Sequence, residues 1–404
     1  MRLRIKDICD YVSRGTTPDY VDEGANKVMN QATFSKGWID ESNIRYTSKA
    51  NKGARIMKGD LLMASTGGGV LGKVFFFDDD DSFYADSHVT IMRNSKGANL
   101  MKYLYYYFYL RYDEINATMV KGSTNQTELQ RNYLLSYELD VPTLADQQRM
   151  VTYLDTKLSE IDHKVSLLTS KRDAYLRLKK SIINHAVTRG LNPNVKMKDS
   201  GIEWIGEVPE HWEVKRMKDI FFERKELSLT GEEDLLSVSE FYGVARRKDK
   251  MNSDEEFESR ADSLVGYKIC KAHDLVINIM LAWKTGLGIS DNDGIVSPAY
   301  AVYEGRNIAS HFYHYLLRSG MYVKEFKRHS KGIIDSRLRL YNDRFNNISA
   351  IYPPLPEQRA IATYLDDKCA KIDIIVSNLD KQISRYADLK RSLIDEVITG
   401  KRAV

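Results

Sequence analysis

The sequence has few of the residues that support covalent cross-links or metal chemistry. Only 3 of its 404 residues are Cys and 8 are His. Cys9, Cys270 and Cys369 are too scattered for a disulfide framework or a metal knuckle. We interpret them as small buried apolar residues in a reducing compartment, and the spacing of the His residues predicts no metal site.

Long apolar runs and a strong excess of one charge are also missing. The longest runs, 104–110 and 275–283, are far shorter than the ~20 residues that cross a bilayer, and the N-terminal MRLRIKDICD has no apolar signal core. The chain is therefore predicted to be cytoplasmic and to have no membrane partner. Because the net charge is only +4, any surface for a polyanion must be local.

What the chain does contain is a long internal repeat. The segment PTLADQQRMVTYLDTKLSEIDHK from Pro142 aligns without a gap with PPLPEQRAIATYLDDKCAKIDII from Pro353. Weaker similarity precedes each copy, including Gly122 followed by Leu129 against Gly332 followed by Leu338 or Leu340. The order is therefore module, helix, module, helix.

Each copy predicts a long helix with a coiled-coil seam, because apolar residues recur in steps of four and three. The seam positions are Leu154, Leu158, Ile161, Val165 and Leu168 in the first copy, and Leu365, Cys369, Ile372, Val376, Leu379 and Ile383 in the second. Past Tyr175 and Tyr386 we expect the seam to slip register and to continue through Leu178 and Leu389 and then through Ile182 and Leu393.

The two helices are predicted to pair in antiparallel orientation. Each could extend ~65 Å at 1.5 Å per residue, and a parallel pair would require the module between them to carry the chain back over that length. An antiparallel pair of duplicated helices has a pseudo-two-fold axis. The predicted domains are a first module at 1–144, a helix at 145–190, a linker at 191–215, a second module at 216–355 and a helix at 356–404.

Both modules predict an α+β fold, because short apolar runs alternate with turns rich in Gly, Asn and Asp. Enzyme signatures are incomplete. Gly67, Gly72 and Lys73 form GxxxxGK, but Val74 follows in place of Ser or Thr and no helix is predicted there, which argues against an ATP site. No glycine-rich cofactor loop accompanies Ser297-Pro298-Ala299-Tyr300, so a methyltransferase site is also unsupported.

The helix entries PxxxxQ, their YLDxK continuation, the duplication and the linker DSGIEWIGEVPEHWEVKRMKDIF (199–221) together resemble the specificity subunits of type I restriction-modification systems. The resemblance covers the whole chain. It implies two target recognition domains, each reading one half of a split, asymmetric site in double-stranded DNA, and spaced by the antiparallel helices. It also implies two adenine methyltransferase subunits and ATP-driven restriction subunits as partners. S-adenosylmethionine, ATP and magnesium would belong to those partners, and this chain would have no catalytic residue.

A reader of duplex DNA needs Lys and Arg for phosphates and polar side chains for base edges. Asn and Gln can read adenine, and Arg or Lys can read guanine. In the first module the candidates are Arg14, Thr16, Thr17, Ser65, Thr66, Lys73, Lys121, Thr124, Asn125 and Gln126. In the second module they are Arg246, Arg247, Lys248, Trp283, Lys284, Lys331, Ser336, Arg337 and Arg339.

Two other functions remain open from the sequence. The chain could be a coiled-coil scaffold whose Tyr-rich modules bind proteins, in which case duplex DNA would not be bound in a salt-sensitive, sequence-specific way. It could also be a solitary adenine methyltransferase, which would bind S-adenosylmethionine by itself.

Overall fold

The computed structural model describes residues 1–95, 97–121, 127–250 and 263–404. The chain divides into two compact units. Unit 1 comprises Met1–Leu168 and Lys381–Val404, and unit 2 comprises Thr169–Asp380. Two long helices, α6 (Leu144–Arg189) and α10 (Leu355–Ile398), each contribute residues to both units.

Unit 1 combines short strands with short helices. Its strands are β1 (Arg2–Arg4), β2 (Tyr11–Arg14), β3 (Tyr20–Val21), β4 (Asn26–Met29), β5 (Arg45–Thr47), β6 (Arg55–Ile56), β7 (Leu61–Ala64), β8 (Val74–Phe76), β9 (Phe83–Ala85), β10 (Val89–Arg93), β11 (Val120–Lys121), β12 (Glu128–Leu129) and β13 (Glu138–Asp140). Its helices besides the long pair are α1 (Ile5–Ile8), α2 (Gln31–Phe34), α3 (Ala98–Tyr109), α4 (Tyr112–Thr118) and α5 (Arg131–Ser136).

Unit 2 likewise combines short strands with short helices. Its strands are β14 (Met197–Asp199), β15 (Glu207–Pro209), β16 (Glu213–Arg216), β17 (Phe221–Glu223), β18 (Leu236–Ser239), β19 (Gly243–Arg246), β20 (Lys268–Cys270), β21 (Leu275–Asn278), β22 (Leu287–Ile289), β23 (Gly294–Val296), β24 (Tyr300–Gly305) and β25 (Ser349–Tyr352). Its helices besides the long pair are α7 (Ser310–Leu317), α8 (Gly320–His329) and α9 (Asn342–Phe345). Both units are therefore α+β, as predicted.

The two units share the topology of one four-stranded sheet, and unit 1 also has a five-stranded sheet in the order β3-β5-β4-β9-β6. Unit 1 has a four-stranded antiparallel sheet in the order β2-β10-β7-β8, and unit 2 has one in the order β17-β24-β21-β22. The central strands β7 and β21 are buried along their whole length. Burying a Leu, Ile or Val side chain contributes roughly 1.5–3 kcal/mol, so these strands anchor the core of each unit. The internal repeat seen in the sequence thus extends to the fold of the modules.

A buried carboxylate precedes each central strand. Asp60 accepts two hydrogen bonds from Arg93, both at 2.7 Å, and Asp274 accepts two from Arg224, at 2.7 and 3.1 Å. Each carboxylate also accepts a backbone N–H from three residues earlier in the chain. A charge buried in this way is tolerated only when it is paired and fully hydrogen-bonded, which both sites satisfy.

The long helices pair in antiparallel orientation within each unit. In unit 1, Leu154 and Leu158 of α6 share a core with Val397 and Ile398 of α10. Residues early in α6 therefore meet residues late in α10, which confirms the predicted antiparallel pair for this unit.

Unit 2 shows the same orientation from the opposite ends of the helices. Ala186 and Val187, near the end of α6, share a core with Ile361 and Leu365, near the start of α10. The predicted seam lies along these contacts. Its buried members are Leu154, Leu158, Ile161, Leu365, Cys369, Ile372 and Leu379, and Val165, Leu168, Val376 and Ile383 are half-buried.

The predicted slip of the seam is wrong at its first pair of residues, whereas in its second pair Ile182 is half-buried and Leu393 is buried. Leu178 and Leu389 are 47% and 48% exposed, and the steps of four and three continue instead through Lys179 and Lys390. Lys179 Nζ lies 2.6 Å from a carboxylate oxygen of Asp373 in unit 2, and Lys390 Nζ lies 2.7 Å from one of Asp162 in unit 1. A Lys side chain can lay its aliphatic part along an apolar seam and keep its ammonium group in water, so the heptads are unbroken.

The repeated Gln of the PxxxxQ motifs forms a side-chain hydrogen bond to the backbone just before each long helix. Gln147 and Gln358 are 3% and 0% exposed. Their Nε2 atoms donate to the carbonyl oxygens of Pro142 at 2.8 Å and Pro353 at 2.7 Å. This bond satisfies a carbonyl just before each helix and explains the shared spacing of Pro and Gln.

Burial also accounts for the three Cys residues. All three are free and buried, as predicted, and burial raises the pKa of Cys9 and of Cys270 to about 12. These two thiols stay protonated near neutral pH and are poor nucleophiles.

Candidate nucleic-acid interface

In unit 1, two of the segments predicted to face DNA come together, each in contact with Glu128 at the start of β12. Arg14 Nη1 lies 3.4 Å from Glu128 Oε2, and the backbone of Thr66 bridges that of Glu128. Thr66 Oγ1 is 2.6 Å from His88 Nδ1. The segment after β2, the turn after β7 and the start of β12 therefore form one polar surface.

A buried carboxylate, Asp86, lies beside this surface. Burial raises its pKa, while the N–H of His88 and the hydroxyl of Tyr20 donate to it. The backbone of Thr16 bridges Asp86, and Thr16 Oγ1 accepts from Asn51 Nδ2 at 3.3 Å. These contacts fix the segment that follows Arg14 in position.

Not every candidate in unit 1 can reach a ligand. Ser65 is 0% exposed, and its hydroxyl lies 2.5 Å from Thr90 Oγ1 and donates to the carbonyl of Met63, so the structure argues against Ser65 as a base contact. Lys73 is half-buried and lines a groove together with Tyr105 and Tyr109. Thr17 lines a small cavity with Thr16 and Asn51, and Lys121 is exposed in β11. Thr124, Asn125 and Gln126 lie outside the described residues.

In unit 2, the turn between β21 and β22 occupies the place of the Gly-rich turn between β7 and β8. It carries Trp283, whose Nε1 donates to the carbonyl of Met280 at 3.1 Å. The ammonium groups of Lys284 and Lys327 each lie 4.9 Å from the centre of its ring. A cation over an indole face is stabilised by the ring quadrupole, so this turn presents a cationic and aromatic surface.

A second segment of unit 2, 331–340, is hydrogen-bonded to this turn. The backbones of Lys331 and Arg339 exchange two hydrogen bonds of 2.9 Å, and the N–H of Leu340 donates to the carbonyl of Ile279 at 2.9 Å. In unit 1 the N–H of Leu129 donates to the carbonyl of Ser65 at the same distance.

The structure therefore selects Leu340 over Leu338 as the counterpart of Leu129. Arg337 is exposed in the segment 331–340, and Arg339 is half-buried and engaged in contacts. The side chain of Ser336 lies outside the described residues.

The basic cluster after β19 lies elsewhere. Asp234 pairs with Arg246 at 3.3 Å and with Lys248 at 2.7 Å, and Arg247 is also engaged in contacts. The pairing of Leu236 with Arg246 places this cluster at the open end of the β18–β19 hairpin, whereas the hairpin tip follows Ser239. The candidates of unit 2 therefore form two groups, at opposite ends of one hairpin.

Sequence analysis missed two residues of this surface. Phe241, at the hairpin tip, is 90% exposed, and Arg318 donates hydrogen bonds to the tip from α7's C-terminal end. The run SEFYG between two alternating segments is a typical hairpin turn and could have identified Phe241. No spacing rule connects Arg318 to a turn nearly 80 positions earlier.

The described part of the chain lacks two features that would point to other functions. It contains no group of three or more His, Cys, Asp or Glu side chains placed to hold a metal ion. Within the same residues, no helix combines the length and the apolar character that crossing a membrane requires.

The chain is a duplicated, two-module protein. Both units contain the same four-stranded sheet, the two long helices pair antiparallel in each unit, and polar turns lie at equivalent places. The family model for the type I restriction modification DNA specificity domain matches residues 1–167 and 209–385. The chain therefore belongs to the family of type I restriction-modification specificity subunits, whose members recognise DNA sequences.

Individual relatives agree with this assignment. The chain is 21% identical over 329 residues to the type I restriction enzyme MjaVIII specificity subunit of Methanocaldococcus jannaschii, which covers 77% of this chain and 73% of the relative. It is 22% identical over 218 residues to a putative type I restriction enzyme MjaX specificity subunit of the same organism, covering 52% and 50%. The family and its relatives favour DNA recognition over a protein-binding scaffold.

Solved structures share the fold. A chain from a structure on complex assembly and conformational transition of the type I R-M system superposes with a TM-score of 0.69 at 13% identity, covering 98% of this chain and 97% of that one. The HsdS subunit from Thermoanaerobacter tengcongensis superposes with a TM-score of 0.51 at 14% identity, covering 100% and 97%. At these identities the likeness concerns the fold alone.

Proposed function

We propose that this chain reads a bipartite, asymmetric DNA site, with one half-site bound by each unit, and that it directs methyltransferase and restriction subunits to that site. The chain itself performs no catalysis. Two adenine methyltransferase subunits supply S-adenosylmethionine chemistry, and ATP and magnesium are used by restriction subunits.

The strongest support for a split site comes from the equivalent turns of the two units. The turns after β7 and β21 are tied to the following segment by the same backbone hydrogen bond, from Leu129 to Ser65 and from Leu340 to Ile279. Their side chains differ: unit 1 offers Thr66 beside Arg14, whereas unit 2 offers Trp283 and Lys284. Equivalent positions with different donors and acceptors read different bases, so the two half-sites should differ.

Methylome sequencing tests this proposal. The chain is produced with its methyltransferase partners in a host, and the methylated motif is read from the genome. We expect a non-palindromic motif with two defined parts and an undefined spacer. Trp283→Ala with Lys284→Ala should relax one half-site, and Arg14→Ala with Thr66→Ala should relax the other, because a lost base contact costs about 1–3 kcal/mol of discrimination.

The control is Lys198→Ala, which removes an exposed cation from β14 of unit 2. It should leave the motif unchanged. A single palindromic motif, or a change in both halves from either double variant, would contradict the proposal.

The absence of catalysis has its own test. The purified chain alone should not bind S-adenosylmethionine in a calorimetric titration, and DNA methylation should require the partner subunits. Binding of the cofactor by the chain alone would identify it as a methyltransferase instead.

A further inference from the structure

We propose that Phe241 of unit 2 is an apolar wedge that inserts between two stacked base pairs of the bound duplex. The inference rests on the proposed function and deepens it. Unit 2 would read its half-site partly through the ease with which one base step unstacks, in addition to contacts with base edges.

The position of Phe241 is unusual for a large apolar residue. It lies in the three-residue loop between β18 and β19, and 90% of its surface is exposed. The loop ends at Gly243, which has a φ of +84° that only Gly adopts without strain. The hairpin therefore projects the phenyl ring away from the core of the unit.

The tip that carries the ring is fixed in place. The guanidinium of Arg318 donates to the carbonyl oxygens of Glu240 and Phe241 at 3.0 and 3.1 Å. It also donates to those of Thr285 and Leu287 at 2.7 and 2.6 Å.

A further bond ties the tip directly to the neighbouring turn. Thr285 Oγ1 donates to the carbonyl of Glu240 at 2.7 Å. Burial lowers the pKa of Arg318, so holding this cation inside the unit has a free-energy cost that the four carbonyl bonds offset. A rigid tip loses little conformational entropy when it binds.

The surroundings of the tip favour a polyanion with apolar interior faces. Through Thr285 the tip is joined to the turn that carries Lys284 and Trp283, and Lys327 lies over the same indole ring. Duplex DNA presents anionic phosphates on its outside and apolar base faces within the stack. Cations beside a projecting Phe match both features at once. The step that opens is expected to be pyrimidine–purine, because such steps unstack most easily.

The test uses the complete chain with its methyltransferase partners and duplexes of the site defined by methylome sequencing. The fluorescent base 2-aminopurine is placed at one position after another, since its emission rises when stacking is lost. We expect a rise at one step of the half-site read by unit 2, outside the methylated adenine. Phe241→Ala should remove that rise and weaken specific binding on the order of tenfold.

Two further variants make the result specific. Phe241→Trp should retain the signal, because an indole also stacks between bases. Leu229→Ala is the matched control. Leu229 is 88% exposed in the same unit but lies in the segment between β17 and β18, away from the loop that carries Phe241 in the sequence, and this variant should behave as the wild type.

Unchanged affinity and an unchanged fluorescence profile in Phe241→Ala would overturn the wedge. So would a defect of that variant in assembly with the methyltransferase subunits while DNA binding is intact. If the wild-type complex binds no specific duplex, the proposed function fails, and the wedge fails with it. Specific binding without unstacking refutes the wedge alone.

Discussion

Single residues of unit 2 hold the hairpin tip against the sheet, and His314 is one of them. Burial, together with the nearby charge of Arg318, lowers its pKa to about 3. The Nδ1 atom accepts the N–H of Ile289 at 3.3 Å. A Cβ atom added to Gly243 would lie 3.0 Å from the Cε1 atom of this ring, so the imidazole is packed in its neutral form against the hairpin.

A neutral buried His makes stability depend on pH. In the unfolded chain His314 titrates near its ordinary pKa of about 6.5, whereas in the folded chain it titrates at about 3. The unfolded state therefore binds one more proton between these values. Stability should be complete above pH 6.5 and should fall by up to about 1.4 kcal/mol per pH unit below it.

Urea unfolding of the full chain between neutral pH and pH 4.5 measures this dependence. His314→Asn keeps an acceptor for Ile289 but has no proton to gain, so its midpoint should fall less steeply with acid than that of the wild type. His163→Asn, at an exposed site on α6, should keep the full dependence. Equal slopes for the wild type and His314→Asn would show that another group is responsible.

Exposure separates the residues predicted to contact DNA at the two turns. Thr66 and Trp283 are half-buried and Lys284 is exposed, whereas Ser65, one position before Thr66, is buried in a hydroxyl pair with Thr90. Whether any of them contacts a base stays a prediction. Whether a residue at a strand end faces the solvent depends on the partner strand. Phe241 was missed for the same reason, because its role depends on Arg318 and not on neighbours in sequence.

At the level of elements, the paired helices were predicted in most detail. Heptads of apolar residues identify a seam directly, because the same face of the helix must be buried in every turn. The pattern failed only at Lys179 and Lys390, which are charged and so were not counted as seam residues. Each forms an ion pair with an Asp of the other helix. The repeat relates the two ion pairs: Lys179 is equivalent to Lys390, and Asp162 is equivalent to Asp373.

An ion pair at a seam position should favour the observed register. Lys179→Glu places a carboxylate beside Asp373 and should destabilise the chain by about 1 kcal/mol, because a partly exposed pair is worth up to about that much. Combining it with Asp373→Lys restores an attraction and should recover part of the loss. The urea midpoint, followed by far-UV circular dichroism, measures both effects.

The repeat provides a matched control for this prediction. Lys390→Glu, alone and with Asp162→Lys, changes the equivalent pair and should give the same pattern of loss and recovery. If the double variants are no more stable than the single ones, the pairs do not contribute to register.

At the level of the whole molecule, the duplication was clear from the sequence, and so were the family and the two-module organisation. The division into units was not. The predicted boundaries follow the modules and helices in turn, whereas each compact unit of the structure takes its share of both long helices. Sequence periodicity marks where a helix begins and ends, but it does not show which core its different parts belong to.

The continuous helices lead to a prediction for the spacer between half-sites. Seven residues inserted after Ser170 and after Lys381, equivalent places in the two copies, keep the heptad phase and lengthen each helix by about 10 Å. We expect the undefined spacer of the methylated motif to lengthen by at most about three base pairs. The two half-sites should stay the same.

Methylome sequencing of this variant beside the wild type measures both the spacer and the half-sites. A control insertion of seven residues into the linker after Asn194, which lies outside both helices, should leave the motif unaltered. An unchanged spacer or an altered half-site in the helix variant would contradict the prediction.

The turns that differ between the two copies each present exposed positions, such as Gly68 after β7 and Lys284 after β21. The buried Asp before the central strand and the buried Gln near the start of each long helix recur in both copies, while the side chains of the turns after β7 and β21 have diverged. Mutations can therefore accumulate at the exposed positions of those turns at little cost in folding stability. Such an arrangement is highly evolvable: new target sequences can arise by local drift or by exchange of one module, without rebuilding the protein that carries it.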